Sequence, residues 1–214
     1  KTNMWHKASK QFYDLAHTPA ILDYVEDLLG QNFYLWGGQF FYKPAYSNSI
    51  VPWHQDSQYW PLEPSNSVTV WLAVYDTDEK NSAMKIISGS HKDKIYLHNE
   101  NTNENYILNQ EVSNNQIDQN KIVYMNLKAG EISLHSDALL HGSDKNNSNL
   151  PRCGITLRYS PSNVKANLSK WPHFSIQVAR GDKNHTLNPV APVPRGEATP
   201  IKGFQFHQEF ESQW

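Results

Sequence analysis

The chain has a single cysteine, Cys153, in 214 residues, so no intramolecular disulfide can form and folding does not depend on an oxidising compartment. It has no uninterrupted apolar run of the length a bilayer span requires, and Lys1 to Lys10 lack the apolar centre of a signal peptide. There is no block of five like charges. With 19 basic and 21 acidic residues the formal net charge is -2, which leaves no global electrostatic drive toward nucleic acid or an anionic membrane. These absences lead to the expectation of a cytoplasmic protein that meets small molecules, with no nucleic acid and no membrane among its partners. An initiator methionine is lacking too, so a stretch preceding Lys1 is expected. The length suits one domain, residues 1–214, with a two-layer core.

What the chain does have is aromatic side chains, seven Trp and eleven Tyr among them, in a sequence of mean hydropathy -0.68. Thr18-Pro19 followed by Ile21, Leu22, Val25, Leu28, Leu29 and then Gly30 predicts an amphipathic helix with an N-cap, proline at its first position and a terminal glycine. From Asn32 onward short aromatic and β-branched runs alternate with Gly, Pro, Asn and Ser clusters: Phe33–Trp36, Gln39–Lys43, Val68–Tyr75, Met84–Ile87, Ile122–Met125, Ile132–Leu134, Gly154–Tyr159 and Phe174–Val178. Many short strands with few helices predict a sandwich or barrel. Within Val68–Tyr75 the alternation predicts an aliphatic face opposite one that presents Trp71 and Tyr75 inward or to a partner sheet. Glu100 to Asn120 reads as a polar excursion between strands, either a lid or a plain exposed loop. Four prolines between Asn188 and Pro200 predict an extended arm over the surface.

His54-Gln55-Asp56 carries the chemistry. In an extended chain, residues two apart project to one face, so the imidazole and the carboxylate can share a metal ion while Gln55 points elsewhere. A distant His141 would complete two imidazoles and one carboxylate, the facial set that leaves about half an octahedral shell open in non-heme Fe(II) oxygenases. Composition alone yields about half a chance His-x-Asp in such a chain. A second one exists, His135-Ser136-Asp137, four residues before His141, and ligand types do not choose between the pairs. Eleven positions after His141 stands Arg152, on a predicted strand that also carries Arg158. A guanidinium there suits the far carboxylate of a dicarboxylate such as 2-oxoglutarate chelating the metal at its other end, and a surface cation beside a loop fits the same spacing.

Taken in order, Val51-Pro52-Trp53-His54-Gln55-Asp56 with Tyr59-Trp60, Val68-Thr69-Val70-Trp71-Leu72-Ala73, Ser88-Gly89-Ser90-His91, Gly130-Glu131, and His141-Gly142-Ser143 through Arg152 to Arg158-Tyr159 resemble the phytanoyl-CoA dioxygenase family of Fe(II)- and 2-oxoglutarate-dependent oxygenases, over approximately Tyr34 to Gly181. The resemblance implies a mainly β fold, a double-stranded β-helix (jelly roll, cupin-like) with flanking N-terminal helices and metal bound at its open end. It implies His54, Asp56 and His141 as iron ligands, Arg152 as the 2-oxoglutarate anchor assisted by Ser143, and Trp71 and Gln55 as further co-substrate contacts, Trp71 being explained almost as well by packing. It sets His135 and Asp137 aside and reads the turn at His91 as structural. Lys43 is read as a snorkelling surface lysine in preference to a pocket residue, and Arg158 as a contact to a substrate acid or an internal carboxylate. His6, His17, His98, His173, His185 and His207 have no partner spacing and default to solvated surface.

Related halogenating enzymes carry a small residue where this chain has Asp56, so the resemblance implies a dioxygenase that hydroxylates an unactivated C–H of a small metabolite, lipid-like, terpenoid or amino-acid-derived, using O2 and releasing succinate and CO2. Trp36, Trp53, Tyr59 and Trp60 are expected to wall the substrate pocket. The rival classes are a metal- or ligand-binding jelly-roll sensor without turnover, and a carbohydrate-binding or protein-interaction jelly roll whose ligand binding would be indifferent to chelators.

Overall fold

The computed structural model describes residues 3–93, 95–184 and 186–200. Those residues divide into two compact units, one of residues 3–40, 61–70 and 155–200, the other of residues 41–60 and 71–154.

The first unit opens with three helices, α1 (Trp5–Ala8), α2 (Lys10–Ala16) and α3 (Pro19–Leu29). The expected α3 forms with Thr18 at the N-cap, Pro19 at the start and Gly30 closing it at φ 81°. Ile21, Leu22 and Val25 are buried and Leu29 is half-buried, whereas Leu28 is 58% exposed, so of the apolar stripe only Leu28 is left facing solvent. Ser9 caps α2 by accepting from the Phe12 N–H, which satisfies one of the donors a helix start leaves open.

β1 (Phe33–Lys43) is one continuous strand where two are predicted. With β4 (Val68–Ala73), β9 (Ile132–Ser136), β11 (Arg152–Pro161) and β13 (Gln177–Arg180) it forms a five-stranded sheet of order β13-β1-β11-β4-β9, and β1, β4 and β11 each have residues in both units. Phe33 and Tyr159 pack edge to face, and the Tyr159 hydroxyl donates to the Ala16 carbonyl at 2.6 Å, tying α2 to β11. β3 (Leu62–Glu63) and β12 (Lys165–Ala166) add a short ribbon. The proline-rich segment is an extended arm: Val190 bridges Ile176, Glu197 bridges Ser9, and the Gln177 amide donates to Pro192 O.

The second unit holds the four-stranded sheet β2-β10-β5-β8, made of β2 (Val51–His54), β10 (His141–Ser143), β5 (Lys85–Ile87) and β8 (Ile122–Tyr124). A hairpin of β6 (His98–Glu100) and β7 (Gln110–Val112) completes it. Two expectations change here. Residues 100–120 are no bare excursion, because Val112 and Ile117 are buried with Trp53, Ile87 and Leu140 in one apolar cluster; scattered aliphatics in a polar segment suffice when each lands on a core. In β4, Val68 to Trp71 are all buried while Tyr75 lies beyond the strand and is 48% exposed, so no face pairs Trp71 with Tyr75. Both sides of the strand are covered, which removes the contrast that alternation reports.

Candidate metal and co-substrate site

The two histidines meet because of strand register. His141 of β10 lies directly opposite His54 of β2, and cross-strand neighbours on one face are close enough for their side chains to touch. Their ring centroids are 4.1 Å apart. β2 ends at His54, but Gln55 keeps an extended backbone (φ -114°, ψ 130°) before Asp56 starts a 3-10 turn, so the alternation continues one residue past the ladder. Asp56 Oδ1 thereby lies 3.7 Å from His54 Nε2. One ligand atom from each of His54, Asp56 and His141 falls within 4.8 Å of the other two, and all three residues are buried.

The donor set fits a divalent metal. His54 Nδ1 is 2.9 Å from Pro52 O and His141 Nδ1 is 2.9 Å from Leu139 O. A carbonyl only accepts, so each Nδ1 carries the proton and each Nε2 offers a lone pair, the usual way a metal-binding imidazole is oriented. Burial, then the nearby His54, hold the His141 imidazole well below its ordinary pKa, which keeps it neutral and ligand-competent.

Beside the triad lies a second feature. Ser143, two residues after His141, has its Oγ 2.9 Å from Lys43 Nζ and 3.4 Å from Arg152 Nη2. Lys43 also donates to Ser82 Oγ at 2.9 Å and to Asp144 O at 2.6 Å. Lys43 and Arg152 are 4% and 3% exposed, so the surface reading of Lys43 is corrected: its stem runs inward from β1. Burial, then the charge of Arg152, push the Lys43 amine down to about 6, and burial brings Arg152 down to about 10. The Asp144 carboxylate is taken by Lys85 at 2.6 Å. Two basic groups thus converge on one hydroxyl among hydroxyl and carbonyl partners, where an anion would offset the cost, several kcal/mol, of burying the Arg152 charge. Ser82 holds the left-handed φ of 75° there, a strain of about 1–3 kcal/mol of the kind found at ligand clamps.

Trp71 is buried, its ring 5.6 Å from the Arg152 guanidinium carbon. Gln55 uses its amide structurally, donating to Ala138 O at 2.7 Å and accepting from the Tyr96 N–H at 2.8 Å. His135 is nearer than its spacing suggested, with Nε2 4.0 Å from Asp56 Oδ2 and its ring centroid 4.9 Å from that of His141, yet it stands outside the three-ligand group. Asp137 is buried, and its backbone carbonyl accepts from the Ser57 N–H. Arg158 donates to Gln39 Oε1 at 3.2 Å beside Trp36. Of the expected pocket wall, Trp53 lies in the apolar cluster with Lys85 over its ring, Trp36 packs on Trp171 and Phe174, and Trp60 is buried. The Tyr59 ring lies 6.0 Å from that of His54.

Three histidines depart from the surface expectation, His17 among them as a half-buried ring. His6 is fully buried, and His98 is half-buried with Nε2 3.0 Å from the Gln55 N–H; burial, then His54, lower the His98 pKa. His17 stacks on Tyr13, while His91 and His173 are exposed. The turn at His91 is structural, since Ser90 Oγ accepts from the Leu140 N–H at 2.9 Å. His185 and His207 lie outside the described residues. Ser82 and His98 gave no sequence signal of their own, and Lys43 gave only its place on a strand before the motif; their partners, Lys43 for Ser82 and the Gln55 N–H for His98, are distant in sequence.

A buried His–Asp–His set, with one histidine on each of the neighbouring strands β2 and β10 and the carboxylate on the turn after β2, is a donor group that could hold a non-heme metal ion in a mainly β protein. A family model described as phytanoyl-CoA dioxygenase matches residues 1–154, and the chain belongs to that family. A probable alpha-ketoglutarate-dependent hypophosphite dioxygenase of Stutzerimonas stutzeri is 29% identical over 160 residues, 74% of this chain and 54% of that protein. The peroxisomal phytanoyl-CoA dioxygenase of Bos taurus is 29% identical over 150 residues, 68% of this chain and 44% of that protein. The chain thus spans about half the length of these curated relatives. Among solved structures, the non-heme monooxygenase ThoJ without ligand superposes with a TM-score of 0.79 at 28% identity, over 91% of this chain and 70% of that one, in keeping with the expected jelly roll. Among the described residues no helix is long and apolar enough to cross a membrane.

Proposed function

We propose that the protein is an Fe(II)- and 2-oxoglutarate-dependent dioxygenase that hydroxylates a C–H bond of a small metabolite, with O2 as oxidant and succinate and CO2 as products. The observation that carries this reading is the pairing of a three-ligand site with a carboxylate-seeking pocket on one strand: His141 and Ser143 are two residues apart, and Ser143 Oγ is where Lys43 and Arg152 converge. His54, Asp56 and His141 would hold the metal, a three-donor set of the kind that leaves room for co-substrate and O2. Iron, when bound, supplies the oxidising chemistry. The chain's own residues orient and enclose. Arg152 takes the far carboxylate of 2-oxoglutarate through a charged, geometrically fixed fork. Lys43 regains its proton against that carboxylate, and Ser143 donates to it. Trp71 holds the guanidinium from one side by its ring face.

Asp56 would supply a protein carboxylate where related halogenating enzymes carry a small residue, which favours hydroxylation over halogenation. The substrate is drawn from lipid-like, terpenoid or amino-acid-derived metabolites. Incubation of the chain with Fe(II), ascorbate, O2 and 2-oxoglutarate tests the proposal: succinate should form, and a chelator should stop it. No succinate across a broad metabolite panel, with metal bound, would leave a ligand-binding jelly roll without turnover as the better account.

A further inference from the structure

We propose that His98 is a positioning residue for the metal site, acting through the peptide between the two ligands of β2. This rests on reading His54, Asp56 and His141 as the metal set. The His98 ring is fixed at both ends: Nδ1 lies 3.0 Å from Tyr96 O, which only accepts, so Nδ1 bears the proton. Nε2 is then an acceptor, and it takes the Gln55 N–H at 3.0 Å. That N–H belongs to the residue whose extended backbone sets the spacing from His54 to Asp56.

Gln55 is gripped twice more. The Tyr96 N–H donates to its Oε1 at 2.8 Å, and its own Nε2 donates to Ala138 O at 2.7 Å, in the turn that leads into His141. One residue therefore links the hairpin, the His54–Asp56 pair and the approach to His141. The hairpin carrying His98 is itself anchored. His98 pairs with Val112 across it, Val112 sits in one apolar cluster with Trp53, and the Tyr59 hydroxyl donates to Gln110 O at 3.2 Å. A buried N–H without an acceptor is costly, so removing Nε2 should let the Gln55 peptide turn and spread the two ligands. Outer partners of this kind typically change metal affinity by about 10–100-fold.

The test uses Co(II) as probe, its affinity and visible absorption read on the full chain, together with the thermal midpoint of each metal-free protein. His98→Leu should bind Co(II) roughly 10–100-fold more weakly with an altered spectrum, while His98→Gln, whose amide oxygen can stand where Nε2 stands, should restore both. Wild-type affinity and spectrum in His98→Leu would overturn the proposal, as would His98→Gln being as weak as His98→Leu, which would assign the ring a packing role. Should His98→Leu fail to fold, His98→Asn, too short to reach the Gln55 N–H, takes its place against His98→Gln with the same two outcomes. No Co(II) binding by the wild type would sink the ligand set itself, and the proposal with it.

Discussion

At the scale of single residues, Arg152 and Lys43 look alike in burial and differ in what they do with a proton. Arg152 stays charged at neutral pH because even lowered it titrates near 10. Its replacement by alanine should therefore weaken 2-oxoglutarate binding by about 2–5 kcal/mol, the range for losing one member of a buried charged pair. Calorimetric titration of the metal-loaded chain measures it, and an unchanged affinity would move the anchor elsewhere. Lys43, at about 6, is mostly neutral at pH 7.5 without ligand. A bound carboxylate favours the charged amine and raises its pKa, so binding takes up a proton, and affinity falls as pH rises from about 6 toward the bound-state value. Titrations in buffers of different ionisation enthalpy should show that uptake near pH 7.5 and its loss in Lys43→Met. Equal uptake in both proteins would assign the proton to another group.

At the scale of elements, β10 is short and does most of the positioning. It lies between β2 and β5, and its middle residue, Gly142, allows the closest approach: an added Cβ would stand 2.8 Å from Val51 O and 3.2 Å from Pro52 O. Both are backbone atoms of the strand that carries His54, so Gly142→Ala must lever β10 away from β2. Overpacking of this kind typically costs about 1–3 kcal/mol, and here it separates His54 from His141. Denaturant unfolding should show the lower stability and a Co(II) titration the weaker site, whereas a variant with both values at wild type would mean that the strands can part freely. β11 uses glycine in the same way, since a Cβ on Gly154 would fall 2.1 Å from Cζ2 of Trp71; only glycine there leaves room for the indole beside Arg152. Along β11 every residue is buried, yet Arg152, Gly154, Thr156, Arg158 and Ser160 alternate with Cys153, Ile155, Leu157 and Tyr159. The first row carries the two arginines and the hydroxyls of Thr156 and Ser160, the second the apolar side chains of the core.

At the scale of the whole molecule, sequence reading went furthest where local rules decide. α3 was legible because its cap residue, proline, apolar spacing and terminal glycine all act within one helix. The His54–Asp56 pair was legible because two-residue alternation is a local property of extended chain. The partnership with His141 was not local. It depends on the register that sets β10 against β2, and ligand types alone left His135 and Asp137 equally eligible until the order of motifs was considered. Lys43 was misread because nothing near it in sequence shows that its stem passes inward to Ser82, Ser143 and Asp144. His98 was missed because a lone histidine in a polar hairpin carries no sign of the backbone N–H it will accept. Family membership, the register of β10 and the tautomers fixed by Pro52 and Leu139 all point to one metal held by three side chains. Anomalous diffraction from a crystal grown with Mn(II) and 2-oxoglutarate tests this most directly. A single peak should lie about 2.0–2.2 Å from His54 Nε2, His141 Nε2 and an oxygen of Asp56, with the far carboxylate against Arg152 and Lys43. A peak bound by His135 and Asp137, or none within reach of His54, would contradict the account.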